Sequence, residues 1–386
     1  MSLTASSAEV PEATVLAQEP CGAIAPSEQE IEPVADGPYV EMAESGWIAR
    51  SVSADGRAVT APSGAGHLLA IAPADGVLGF TVPLRDPVEA PPPAVQALAD
   101  NVPLMVVADT HGEFGILIAL LQAQGIIDAA LSWTFGTGQV VVLGDVVDRG
   151  AYQIEILWLL YGLEAQAAAK GGALHFILGN HEALMLQGDK RYLHPRYHRT
   201  GAILGRDRYA DLLGPKDVLG QWLRSRNAML KLGDNLFVHG GLSPGLIDEA
   251  PDIAEINDRV RAGIDMPLSS PPLPGDMSAD REGPLWYRGY FRRRHKRVSD
   301  ADVGRSLDHF GVRRIFVGHT PVDRVAPKFR GRVIAAHVYP ARDKATGQPQ
   351  IEAVLRVNGR LLGGDATGQR WALRAVKKPA PDAPPS

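Results

Sequence analysis

"VVLGDVVDRG", Val141 to Gly150, places two aspartates and an arginine directly after an apolar run. A short apolar run that ends in Gly-Asp reads as a buried strand opening into a loop. The run feeding it is "QVVVL" (139–143), and the same pattern recurs in "LMVVA" (104–108), "LHFIL" (174–178), "NLFVH" (235–239) and "RIFVG" (314–318). Between the first two runs in chain order, Phe114, Leu117, Ile118 and Leu121 recur at helical spacing, and after the second Ile154, Leu157, Trp158 and Tyr161 do the same. The pattern is α/β. Alternation alone leaves open whether the strands build a doubly wound sheet or a sandwich of sheets.

In open α/β architectures ligands bind beyond the carboxyl ends of strands, so those ends carry the search. The first run passes into "ADTHG" with Asp109 and His111, two residues apart and on one side if the chain stays extended. The second delivers Asp145, Asp148 and Arg149, and the third passes into "GNHE" with Asn180, His181 and Glu182. The fourth ends in "VHGG" with His239 and the fifth in "VGHTP" with His319. One histidine after a strand reads as structural, and one aspartate as a turn or helix cap. Five successive strand ends that each release a donor, closely followed by glycine or a tight turn, read as a metal centre. Oxygen and nitrogen donors suit Mn, Fe or Zn. So many donors exceed the needs of one catalytic ion, whereas two ions sharing a carboxylate accommodate them.

Composition narrows the partners. The chain has 386 residues, 45% hydrophobic and 22% charged, enough for a substantial core in one large domain or two. A net charge of −5 and a pI near 6.1 give no basic field for nucleic acid, and no apolar run approaches the length of a membrane helix. The single cysteine, Cys21, excludes an internal disulfide framework and a thiolate cluster. The start, "MSLTASSAEVPEATVLAQEP", has no basic segment followed by an apolar one, so the expected compartment is the cytoplasm.

Residues 1–37 are rich in Ala, Ser, Pro and Glu without periodicity, and 373–386 end in "KKPAPDAPPS"; both read as flexible tethers. Residues 38–88 hold short β-type runs punctuated by "ADG" and "SGAG", which predict a small β-rich module. "EAPPPAV" (89–95) reads as a linker into a main body over 96–372.

The order D-x-H-G, G-D-x-V-D-R-G, G-N-H-E, H-G-G, G-H-T resembles the phosphoprotein phosphatase branch of the calcineurin-like metallophosphoesterases, over about Leu104 to Asp323. "GPLWYRGY" (283–290) and "LGQWLRSRNAMLKLGDNLFVHGGLSP" (219–244) are most similar to the bacterial Shewanella-like protein phosphatases. The resemblance implies an αββα sandwich, two mixed sheets flanked by helices. It implies that Asp109, His111 and Asp145 hold a first metal, and that Asp145, Asn180, His239 and His319 hold a second. It further implies that His181 protonates the leaving group, that Asp148 orients it, and that Arg149 and Arg288 grip the phosphoryl oxygens. A carboxylate beside an imidazole favours its proton-donating form, and a planar, always-charged guanidinium suits the phosphoryl group.

The activity so implied is phosphomonoester hydrolysis by direct attack of a metal-bridging hydroxide. The substrates would be phosphorylated proteins, on tyrosine or serine and threonine, or small phosphomonoesters. A dinucleoside polyphosphate hydrolase of the diadenosine tetraphosphatase type shares these motifs, including "GHTP", and is the alternative. The intact donor set plus His181 argues against an inactive metal-bearing scaffold.

Two departures from the family pattern stand out. Ala108 replaces the usual glycine of "GDTHG", a small-for-small change that leaves the donors in place if the backbone there needs no positive φ. "RVIAAHVYPARD" (332–343) has His337 and Tyr339 where the family often has Asp-Thr-Gly, and His337 reads either as a structural strand histidine, the favoured reading, or as a residue facing the site. Away from the motifs, "RRRHKR" (292–297) reads as a solvated basic face, or as a docking surface for acidic phosphopeptides, and "YLHPRYHRTG" (192–201) as a loop or a pocket rim. His175, inside its strand, reads as core. "GTGQVV" (136–141) precedes a strand and is no dinucleotide loop.

Overall fold

The region expected to be β-rich forms an antiparallel sheet of β1 (Asp36–Ala43), β2 (Gly46–Val52) and β3 (Ala58–Ser63), followed by a pair of strands, β4 (Leu68–Ile71) and β5 (Phe80–Pro83). The main body supplies β6 (Val95–Gln96), β7 (Leu104–Val107), β8 (Gln139–Val142), β9 (Ala173–Phe176), β10 (Met229–Leu232), β11 (Asn235–Val238), β12 (Arg314–Val317), β13 (Ala326–Lys328) and β14 (Val333–Ala335). After a short pair, β15 (Ala341–Arg342) and β16 (Pro349–Gln350), it closes with β17 (Glu352–Val357), β18 (Arg360–Asp365) and β19 (Arg370–Ala372). The computed structural model describes residues 35–373 apart from 45, 65, 88–89, 270–271 and 292–297. Cys21, the basic run 292–297, and most of the two expected tethers therefore lie outside the described residues.

Two six-stranded mixed sheets result, ordered β9-β8-β7-β17-β18-β19 and β6-β10-β11-β12-β14-β13. In the first, β7, β8 and β9 run parallel while β17 lies antiparallel to β7. In the second, β11, β12 and β14 are parallel. The period of two along each strand sorts the side chains. Leu104, Val106 and Val141 meet Leu230, Phe237, Phe316 and Ile334 between the sheets. Phe237 stacks on Phe316 at 4.8 Å between centroids, a geometry adding about 0.5–1.5 kcal/mol beyond its buried area. Met105, Val107, Val140 and Val142 turn the other way, into a core that contains α1 (Phe114–Ala123) and α2 (Gln153–Ala169). Strands buried on both faces explain the unbroken apolar runs, and the layering is the metallophosphoesterase sandwich.

The N-terminal strands pack onto this body. Tyr39, Val40, Val52, Leu69 and Val82 belong to the helix-side core. Arg196, on α4 (Pro195–Ile203, following α3, Asn180–Gln187), pairs with Glu155 at 2.9 Å and Asp36 at 3.5 Å, and Thr200 donates to Asp36 at 2.7 Å. Arg196 is 6% exposed and surrounded by these acids, so this part of 192–201 anchors the N-terminal sheet. His175 lies on β9, half-buried against Gln139 at 3.0 Å.

Candidate active site and metal centre

Two loops zip together at the carboxyl ends of β7 and β8. Asp109 N donates to Gly144 O at 3.0 Å, His111 N to Asp145 O at 2.9 Å, Gly112 N to Val146 O at 2.8 Å and Gly150 N to His111 O at 2.8 Å. The glycines are required by this approach, because a Cβ on Gly112 would sit 2.6 Å from Gly150 O and one on Gly150 would collide with His111 O. Asp109, His111, Asp145, Asp148, Arg149 and His319 all have φ between 45° and 68°. Non-glycine residues in such conformations cost about 1–3 kcal/mol each, least for aspartate and histidine, and persist where the surroundings hold them. These six are half of the non-glycine residues with positive φ among those described, so the strain concentrates at this site. Ala108 is not among them, which is why the site tolerates alanine there.

The donors lie close together, and the second sheet contributes its share. His319 N donates to both Asp109 oxygens at 3.1 and 3.0 Å, tying the end of β12 to that of β7. His239 Nε2 lies 3.1 Å from Asp145 Oδ2 and 3.1 Å from Asn180 Oδ1. Asp145 Oδ1 accepts from His181 N at 2.9 Å. Three sets each bring donor atoms within 4.8 Å of one another: Asp109, His111 and His337; His111, Asp145 and His181; and Asp145, His239 and His319. Asp145 belongs to the last two of these sets, and so stands between a cluster around His111 and one around His239.

Backbone carbonyls orient the imidazoles. His111 Nδ1 bonds Val147 O at 3.1 Å and His239 Nδ1 bonds Leu143 O at 2.5 Å, which turns each Nε2 inward, the usual arrangement of a metal-ligating histidine. Burial, more than any charge nearby, pushes the His111 pKa down to about 3, leaving it neutral and able to ligate. Burial also opposes charge on His239, but Asp145 and Asp109 outweigh it and push its pKa up to about 9. Burial likewise acts to raise the Asp145 pKa, yet His239 and His181 hold it well below the usual carboxylate range. Asp109, Asp145, Asp148 and Glu182 are all at most 2% exposed. Buried carboxylates in this number call for cations between them, and the oxygen and nitrogen donor set fits Mn, Fe or Zn.

Beside the donors, His181 Nδ1 donates to Asp148 Oδ2 at 2.7 Å. Burial works against the imidazolium, but Asp145 and Asp148 raise the His181 pKa on balance. Arg149 is exposed at the rim, its guanidinium 5.1 Å from the Tyr192 ring. The Arg288 guanidinium donates to His319 O at 3.0 Å and lies 3.4 Å from that ring's Nδ1, on the flank of the β12 end.

The structure decides between the two readings of His337 and gives roles to three further residues. His337 is no structural strand histidine: it follows the end of β14, and its Nδ1 lies 3.0 Å from Asp109 Oδ1 in the donor cluster. The apolar run continuing to Ala336 concealed it, because the strand ends one pleat earlier than the pattern does. Glu182 accepts backbone hydrogens from Asp145, Val146 and Gly179 at 2.8 Å each, clamping the Gly-Asp loop to the start of α3. Its fixed place in "GNHE" was the available signal. The Tyr192 ring lies tilted 5.0 Å from that of His181 and Tyr339 lies 5.9 Å from His111, both exposed at the mouth.

Donor-bearing strand ends above two stacked mixed sheets define a metallophosphoesterase, and the chain belongs to the calcineurin-like phosphoesterase family, which matches residues 102–323. Its fold superposes on a cold-active protein-tyrosine phosphatase of a psychrophilic Shewanella species with a TM-score of 0.76, at 33% identity over 88% of this chain and 99% of that one. It is 25% identical over 309 residues to Shewanella-like protein phosphatase 2 of Arabidopsis thaliana, covering 66% of this chain and 76% of the relative. Shewanella-like protein phosphatase 1 of Plasmodium berghei is 27% identical over 230 residues, 57% of this chain and 61% of its own length. Within the family the chain is therefore of the Shewanella-like type, a metal-dependent protein phosphatase of the phosphoprotein phosphatase superfamily. No helix among the described residues is long and apolar enough to cross a membrane.

Proposed function

We propose that this protein hydrolyses phosphomonoesters on proteins with a pair of metal ions, and that aryl phosphates of the phosphotyrosine kind are favoured over alkyl ones. Asp109, His111 and Asp145 would hold one ion, and Asp145, Asn180, His239 and His319 the other. When bound, such a pair supplies a nucleophilic water at neutral pH and positive charge for the phosphoryl oxygens. The observation that carries the reading is the His181–Asp148 pair beside these donors. With Nδ1 committed to Asp148 at 2.7 Å, Nε2 is the position from which His181 gives its proton to the leaving oxygen. Asp148 fixes the ring and balances its charge. Arg149, exposed at the rim, binds phosphoryl oxygens through a planar fork, and Arg288 does so from the flank of His319.

Preference for an aryl leaving group is supported by the mouth, where Tyr192 and Tyr339 are 39% and 47% exposed beside the proposed acid and the His111 donor. An incoming phenyl ring stacks against such faces. The tyrosine phosphatase of the Shewanella relative is consistent with this. The metal-reconstituted chain is assayed on phosphotyrosine, phosphoserine and phosphothreonine peptides and on diadenosine tetraphosphate. Turnover of the phosphotyrosine peptide ahead of the others is expected, and turnover of the dinucleotide alone overturns the proposal.

A further inference from the structure

We infer that His337 is a further metal ligand, joining Asp109, His111 and Asp145 around the first ion; this rests on the proposed dinuclear reading. β14 runs parallel to β12, so the ends of the two strands release His337 and His319 on the same edge of the sheet. His337 is 3% exposed, and neither of its ring nitrogens has a hydrogen-bond partner. Its neighbours differ in this respect. His111 and His239 each spend Nδ1 on a backbone carbonyl.

The contact with Asp109 explains the difference. His337 Nδ1 lies 3.0 Å from Asp109 Oδ1, yet the two do not meet in the orientation of a hydrogen bond. A proton shared between them would require that orientation. Lone pairs of an imidazole and a carboxylate that converge without it are arranged as two ligands of one cation, and His111 brings its own donor atom within 4.8 Å of both. The first ion is then bound by two imidazoles and two carboxylates. That set shifts preference away from magnesium, which takes oxygen ligands, and toward zinc or iron.

The test reads metal binding, not turnover. Wild type, His337→Ala and His337→Asp are stripped with chelator and titrated with Zn²⁺ alone, and bound zinc is counted. Wild type is expected to take up two ions. His337→Ala should weaken one of the two sites by roughly ten- to a hundredfold, and His337→Asp, which restores a ligand, should recover most of that loss. Zinc-edge X-ray absorption of the wild type, which needs no variant to fold, should count four imidazoles over the two ions. A count of three, or a His337→Ala chain that binds both ions within about twofold of wild type, overturns the inference and leaves the dinuclear reading standing. A wild type that takes up no second ion overturns the dinuclear reading itself, and this inference with it.

Discussion

His181 bridges two aspartates of one loop: its Nδ1 lies 2.7 Å from Asp148 Oδ2, and its Nε2 lies 3.9 Å from Asp145 Oδ2. The ring is therefore oriented by one carboxylate while facing the other, which sits between the two donor clusters. Removing the proposed acid should separate proton transfer from metal binding. His181→Asn is expected to lower kcat by about 10²–10⁴ while metal content stays that of wild type. The loss should be larger on a phosphoserine peptide than on p-nitrophenyl phosphate, whose leaving group needs no proton. Equal losses on both, from a leaving-group series in steady state, would remove His181 from the acid role.

Asp145 has the opposite signature. It receives His181 N on one oxygen and faces His239 with the other, so removing its charge touches both clusters. Asp145→Asn should bind both ions more weakly than wild type and lose activity with them. Competitive chelator titration checks this, and affinity at wild-type level would show that the two clusters do not share this carboxylate.

Glu182 should act through the loop and not through the chemistry. Its carboxylate accepts four backbone hydrogens, two on each oxygen, and Glu182→Gln presents an amide donor to one of those pairs. Leaving a buried donor unmatched costs about 1–3 kcal/mol. Chemical denaturation should record a loss of that size.

Stability should also depend on pH through a group far from the metals. Asp217 caps α5 (Val218–Arg224), accepting from Gly220 N at 2.9 Å. Burial pushes its pKa up to about 8, against the pull of its backbone hydrogen bonds. The folded chain then holds a proton there that the unfolded chain has already released, so this group's contribution falls as pH rises from about 4 through about 8. Asparagine caps helices as well as aspartate does. Asp217→Asn should therefore flatten the decline, and thermal melts across that range would detect it.

The aromatic mouth offers a specificity test. Tyr192 lies beside His181 and under Arg149, and its removal costs a stacking face. Tyr192→Ala should reduce kcat/KM for a phosphotyrosine peptide several-fold more than for a phosphoserine peptide. Equal losses would assign the aryl preference elsewhere.

Much of this site was legible along the chain. Five strands begin and end within two residues of their apolar runs, because burial on both faces leaves a continuous apolar signal. Asp109, His111, Asp145, Asn180, His239 and His319 lie at or within three residues of the ends of those runs, so each candidate donor's position was set by local sequence. His337 was left between two readings because its run gives no mark of where the strand stops. Tyr192 was left between loop and pocket rim for another reason: its ring reaches His181 across a turn with no periodicity, and the Arg196 and Tyr197 that follow it serve the N-terminal sheet instead.

The sequence by itself determined the alternating strands and helices, the order of the donors and the loop that carries Asp145, Asp148 and Arg149, since each is a property of neighbouring residues. Only the tertiary structure decided that these strands divide between two stacked sheets, that β17 inserts beside β7, and that His319 N reaches Asp109 across 210 positions. Periodicity states which face of a strand is buried. It carries no information about which other strand lies beside it, and that adjacency, fixed by packing between the sheets, is what brings His337 to Asp109.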